Sequence, residues 1–126
     1  MKNNIIICLL AFMAFTIISC KRSNEKRIVG TWKVVSVIKD SKDETSNWTK
    51  HSYTEMYTSD GVYIYSGQPD DKAGSGSYLW NETDKLTRFG VNGQSTKTLT
   101  IINLDKSNFK YQYFDGNEAW IFTLVK

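Results

Sequence analysis

From Ile28 onward the chain is a succession of short runs rich in Tyr, Thr, Val, Ile and Phe, each closed by Gly, Asp, Asn or Ser. This punctuation constrains the fold more than any other feature, because β-runs joined by short, turn-rich links pair with their neighbours as an antiparallel meander. Ile28 to Ile38 is the longest strong β-run. Its Trp32, Val34, Ser36 and Ile38 share one face and Lys33, Val35 and Val37 the other, so it is expected to be covered on both sides near its middle. Asp40 to Lys50 reads as a polar loop with Trp48 stranded inside it. His51–Thr58 and Val62–Ser66 flank Asp60-Gly61, a pair that favours a hairpin. A loop holding the only proline, Pro69, leads to runs at Ser75–Trp80, Lys85–Val91 and Ser95–Leu104, separated by Asn81–Asp84 and Asn92-Gly93. Asn108–Phe114 and Glu118–Val125 flank a second Asp-Gly at 115–116. Eight such runs predict an all-β fold, an eight-stranded antiparallel up-and-down barrel with no major helix, because closing eight strands removes exposed edges.

Alternation proposes one inward face: Trp32, Val34 and Ile38; Tyr53 and Tyr57; Tyr63 and Tyr65; Tyr78 and Trp80; Phe109, Tyr111 and Tyr113; Trp120, Phe122 and Leu124. Lys110 and Gln112 between the seventh-run aromatics support that phase. The second run is ambiguous, since its odd positions also carry His51 and Glu55.

The N-terminal segment has another character. Met1-Lys2-Asn3-Asn4 is a short basic start, and Ile5 to Ile18 is an apolar run of 14 residues, interrupted only by Cys8 and Thr16. That is short for a membrane span and suits the core of a signal peptide. It ends in Ile17-Ile18-Ser19-Cys20, which resembles the cleavage box of bacterial lipoproteins. The expectation is a signal peptide at 1–19, lipidation at Cys20, a tether at 20–27 and a barrel domain at 28–126. Cys8 leaves with the signal and Cys20 carries lipid, so the mature chain has no disulfide and holds together by packing. Only one basic residue, Lys2, lies before Cys20, which leaves 15 basic and 13 acidic residues and a net charge of +2. Lys21, Arg22, Lys26 and Arg27 beside an acylated cysteine suit anionic headgroups better than nucleic acid. The tether is expected to close with a helical turn nucleated at Asn24.

The lipoprotein signal, the short linker and Ile-Val-Gly-Thr-Trp-Lys at 28–33 are similar to the small lipocalin-like lipoproteins of the Bacteroidetes type. So are the Thr-Ser-Asp-Gly-x-Tyr hairpin at 58–63 and Gly-x-Tyr at 76–78. The resemblance covers essentially the whole mature chain. It implies a barrel whose first-strand Trp32 packs at the closed end, with Gly30 and Trp32 in structural roles. The chain is shorter than a full lipocalin and has no obvious C-terminal Arg to stack on Trp32.

No catalytic constellation stands out, and the expectation is a binding protein without cofactor or metal rather than an enzyme. His51 beside Ser52 lacks a placed third partner. Asp40, Asp43 and Glu44, and Asp70 with Asp71, fit no calcium-loop spacing. The glycines at 74 and 76 precede no helix and so make no phosphate loop. Glu55 is the acid of interest: if Tyr53 and Tyr57 face inward it sits among aromatics and needs a partner such as Arg88. The other placement, near the barrel mouth in water, stays open. Tyrosines offer apolar walls with hydroxyl tips, suited to a small hydrophobic or amphipathic ligand, and they also fill a small barrel completely. The candidate ligand-binding residues are Glu55, Tyr57, Tyr63, Tyr65, Tyr78, Trp80, Tyr111 and Tyr113, and a pocket is expected at the end opposite Trp32, among Tyr57, Tyr63, Tyr78 and Tyr111. The alternative is a filled barrel acting as a protein-interaction module through loops such as Lys39–Lys50. The expected location is the bacterial envelope, anchored by N-terminal acyl chains at the outer membrane facing the periplasm.

Overall fold

The computed structural model describes residues 23–90 and 96–126. The expected signal peptide, Cys20, the first residues of the expected tether, Val91, the expected turn at Asn92-Gly93 and Ser95 lie outside the described residues. Nine strands form one antiparallel sheet: β1 (Gly30–Lys39), β2 (Lys42–Asp43), β3 (Thr54–Tyr57), β4 (Val62–Ser66), β5 (Gly74–Glu82), β6 (Lys85–Gly90), β7 (Lys97–Leu104), β8 (Asn108–Asp115) and β9 (Glu118–Val125). Their order is β2-β1-β3-β4-β5-β6-β7-β8-β9, and β9 returns to pair with β1 from Lys33↔Val125 to Lys39↔Trp120. The sheet is therefore a closed eight-stranded barrel, with β2 as a short strand outside it.

The two Asp-Gly pairs make the tight turns expected. Gly61 and Gly116 have φ of 86° and 60°, conformations that Gly adopts without steric cost. The expected polar loop is partly ordered. Lys42–Asp43 pairs with the end of β1, and Thr45–Thr49 forms a one-turn helix, α2. α2 turns Trp48 inward, edge-on to Tyr53 at 4.9 Å and to Phe122 at 4.8 Å between ring centroids. Burying an indole against the open end of an aromatic core outweighs leaving it in water. Residues 23–27, expected as the end of a tether, also help to build the fold. They are helical (α1), and Asn24 Nδ2 donates to the carbonyl of Thr83 in the β5–β6 turn at 2.9 Å.

The inward face follows the expected alternation except in β1. Val35 has no partner on β9, because the register passes from Val34↔Leu124 to Ser36↔Thr123. This bulge inverts the phase, so Val37 is fully buried, Ile38 only partly, and Val35 is 43% exposed. Ile38 thus gives up its expected core position to Val37, and the middle of the strand is not covered on both sides.

Trp32 closes the β1 N-terminal end of the barrel, fully buried, with Nε1 donating to the Ile28 carbonyl at 2.7 Å and its ring 5.4 Å from Phe109. A cation does lie over it. Lys126 Nζ sits 4.7 Å from the ring and donates to the carbonyl oxygens of Arg27 and Val29. Gly30 has φ 134°, a backbone conformation that residues with a side chain rarely adopt.

Candidate functional site

The barrel interior is organised around Glu55. On β3 the odd residues point inward, which carries Glu55 between Tyr53 and Tyr57 into the core, where none of it is exposed. Burying a carboxylate is tolerable only with a full set of donors. Tyr53 Oη donates to Oε1 and Tyr57 Oη to Oε2, both at 2.8 Å. Tyr111 Oη also donates to Oε1, from β8 across the barrel. Arg88 Nη1, from β6, donates to Oε1 at 2.9 Å and to Tyr57 Oη at 3.3 Å. The buried ion pair expected of Glu55 and Arg88 is formed, and the alternative placement of Glu55 in water is not.

Electrostatics follow from this packing. Burial pushes the Tyr53, Tyr57 and Tyr111 hydroxyls well above the ordinary tyrosine value, and the Glu55 carboxylate adds to the shift. For Arg88 burial acts to lower the pKa, but the surrounding oxygens of Tyr57, Glu55 and Tyr111 outweigh it, and the guanidinium stays charged. The Tyr63 and Tyr111 rings flank that guanidinium at 5.2 and 5.5 Å and hold it in place.

Arg88 links this buried hub to a pocket. A cavity of about 80 Å³ opens at the end of the barrel away from Trp32, lined by Tyr53, Tyr63, Tyr65, Gln68, Arg88, Gly90 and Lys97. Gly76 keeps Tyr63 close to the neighbouring strand, since a Cβ there would meet the Tyr63 ring at 2.7 Å and the Phe89 carbonyl at 2.1 Å. Lys97 Nζ lies 4.7 Å from the Tyr113 ring, and burial followed by the nearby Arg88 charge lowers its pKa.

The structure divides the candidate residues into three groups. Tyr63 and Tyr65 line the pocket. Glu55, Tyr57 and Tyr111 lie behind it, where the hydroxyls of the two tyrosines are already engaged, and Tyr113 packs beside Lys97. Tyr78 and Trp80 lie elsewhere, on a shallow depression of about 210 Å³ near Glu25 and Gly61. Gln68, Gly90 and Lys97 were not among the candidates. A signal for Lys97 did exist: it is two residues from Leu99 and four from Ile101, so all three share the inward phase of β7.

Elsewhere in the interior the described rings pack against one another. Tyr111 stacks on Phe122 at 5.3 Å, and Tyr113 stacks on Trp120 at 6.3 Å. The pocket is well below the roughly 300–1,000 Å³ of a drug-sized ligand site. It has room for the end of a molecule, not for a whole apolar one. No family model matches the chain, and no curated protein matches it.

Proposed function

We propose that the protein is a lipocalin-like envelope lipoprotein whose barrel takes the polar end of a small amphipathic molecule in the pocket bounded by Tyr53, Tyr63, Tyr65, Arg88 and Lys97. The observation that carries this reading is the fixed Arg88: a cation pinned by Glu55 and two aromatic rings, yet lining an open pocket. Proteins rarely bury a charge unless it is held for a purpose or fully paired, and this one also faces a cavity. The apolar segment, Ser19-Cys20 and the basic residues after them support anchoring by N-terminal acyl chains, at the outer membrane and facing the periplasm. The function is binding rather than catalysis. The pocket's small size narrows the ligand: the apolar part of the molecule stays at or outside the mouth.

A filled barrel serving as a protein-interaction module is the second reading, and the small cavity volume favours it. It no longer draws on Trp48, which packs against Tyr53 and Phe122 instead of facing solvent.

A thermal-shift panel separates the two. Short aliphatic and aromatic acids, amines, alcohols and sugars are each added to the protein at millimolar concentration. Stabilisation by one amphipathic class supports the ligand-binding reading, because a ligand of the folded state raises the midpoint by mass action. A midpoint unmoved by every class rejects it in favour of the interaction module.

A further inference from the structure

We infer that the group this pocket takes is a carboxylate, held by Arg88 and Lys97; the inference rests on the ligand-binding reading above. Two cations line the cavity, Arg88 and Lys97. The acid in contact with Arg88 is Glu55, which is buried behind it and already bound to four donors. Counting these three groups, the site carries one uncompensated positive charge, which a monoanion neutralises. Asp115 also attracts Lys97, but it is exposed at the end of β8 and does not line the cavity.

The guanidinium is only partly used. Its Nη1 serves Glu55 and Tyr57, and Nη2 makes no hydrogen bond to a described residue, while Nε is buried out of reach of the cavity. Arg88 as a whole is only 7% exposed, so leaving Nη2 unpaired is costly. A guanidinium donor held in a fixed plane, with an ammonium beside it, matches a carboxylate in hydrogen bonding and charge. Tyr63 and Tyr111 fix the plane of the group before any ligand arrives, which reduces the ordering cost of binding. A volume of about 80 Å³ admits a carboxylate with a few carbons and excludes a nucleotide or a sugar chain. Lys97 stands at the start of β7 with its charge disfavoured by burial and by Arg88, a cost that an incoming anion relieves.

The test is a two-dimensional amide NMR titration of the full chain in zwitterionic micelles. The probes are propionate, propionamide, decanoate and inorganic phosphate. Propionate is expected to move the signals of Tyr65, Gly90 and Lys97, and to bind at least about tenfold more tightly than propionamide, its neutral near-isostere. Lys97→Met is expected to weaken propionate by about tenfold and leave propionamide unchanged, with spectral dispersion confirming that the variant is folded. Decanoate binding more tightly than propionate supports the inference and makes a fatty acid the source of the carboxylate. Equal binding of the two supports it and points to a small free acid. Equal binding of propionate and propionamide overturns the carboxylate inference while leaving the ligand-binding reading intact, as does a preference for phosphate. If no probe moves the pocket signals, both fall.

Discussion

At the scale of single residues, Glu55 decides how the barrel is built. It brings Tyr53, Tyr57, Arg88 and Tyr111 to one point from three strands and the loop before β3. Glu55→Gln keeps the shape and removes the charge, leaving the Arg88 cation buried without its carboxylate. The expected loss is about 3–5 kcal/mol, measured by chemical denaturation. The double variant Glu55→Gln/Arg88→Met is expected to lose about 1–3 kcal/mol less than the sum of the two single variants, since each then lacks an orphaned partner. A tyrosine titration tests the same hub. The hydroxyls of Tyr53, Tyr57 and Tyr111 lie above their ordinary value of 10.0 in the folded state, so between that value and their folded values the native state holds more protons than the unfolded one. Their contribution to stability is full below pH 10 and is lost as pH rises through the folded values. Phenolate absorbance is expected to appear in two phases, with the late phase coinciding with alkaline unfolding. The inward placement of Glu55 was one of two readings the sequence left open, since Tyr53 and Tyr57 carry it inward only if they face inward themselves. Its donors were only partly legible: Arg88 stands in the middle of its run rather than at an end, whereas Tyr111 reaches Glu55 only because the barrel closes.

At the scale of elements, the strands were readable because each run alternates and ends in Gly, Asp, Asn or Ser. The phase of a strand is readable only as long as no residue is inserted. The β1 bulge leaves little mark in the sequence, because Val34, Val35, Val37 and Ile38 are each apolar enough to face inward. It is visible only through β9, which pairs Val34 and Ser36 with consecutive residues. Val37→Ala is therefore expected to cost about 2 kcal/mol, in line with removing buried methyl groups, whereas Val35→Ala stays within about 0.5 kcal/mol. Thermal or urea unfolding of the two variants checks this, and equal losses would mean that β1 has no bulge. The loop before β3 hid its structure for a related reason. A five-residue helix has too few turns to show a period, so Trp48 looked stranded when it was closing the core.

At the scale of the whole molecule, closure explains both the stability of the barrel and the position of its pocket. One end is shut by Trp32 under Lys126, and the other is half-covered by Trp48 and Trp120, which leaves the mouth beside β4, β6 and β7. The run pattern predicted eight staves, and the placement of Trp32 at a closed end was what the family resemblance implied. Neither placed Gln68, Gly90 and Lys97 at the mouth, because their meeting depends on strand register rather than on any local pattern. Anchoring belongs to this scale as well. Cys20→Ala is expected to move the protein from the membrane to the soluble fraction after osmotic lysis, and retention in the membrane would reject lipidation at that residue. The most direct test of a ligand-binding barrel is native mass spectrometry of the protein extracted gently from its own envelope, beside the Lys97→Glu variant. The expected result is a small-molecule adduct on the native protein that the charge-reversed variant lacks. A native protein with no adduct would contradict it, and an adduct that survives Lys97→Glu would contradict its placement in the pocket beside Lys97.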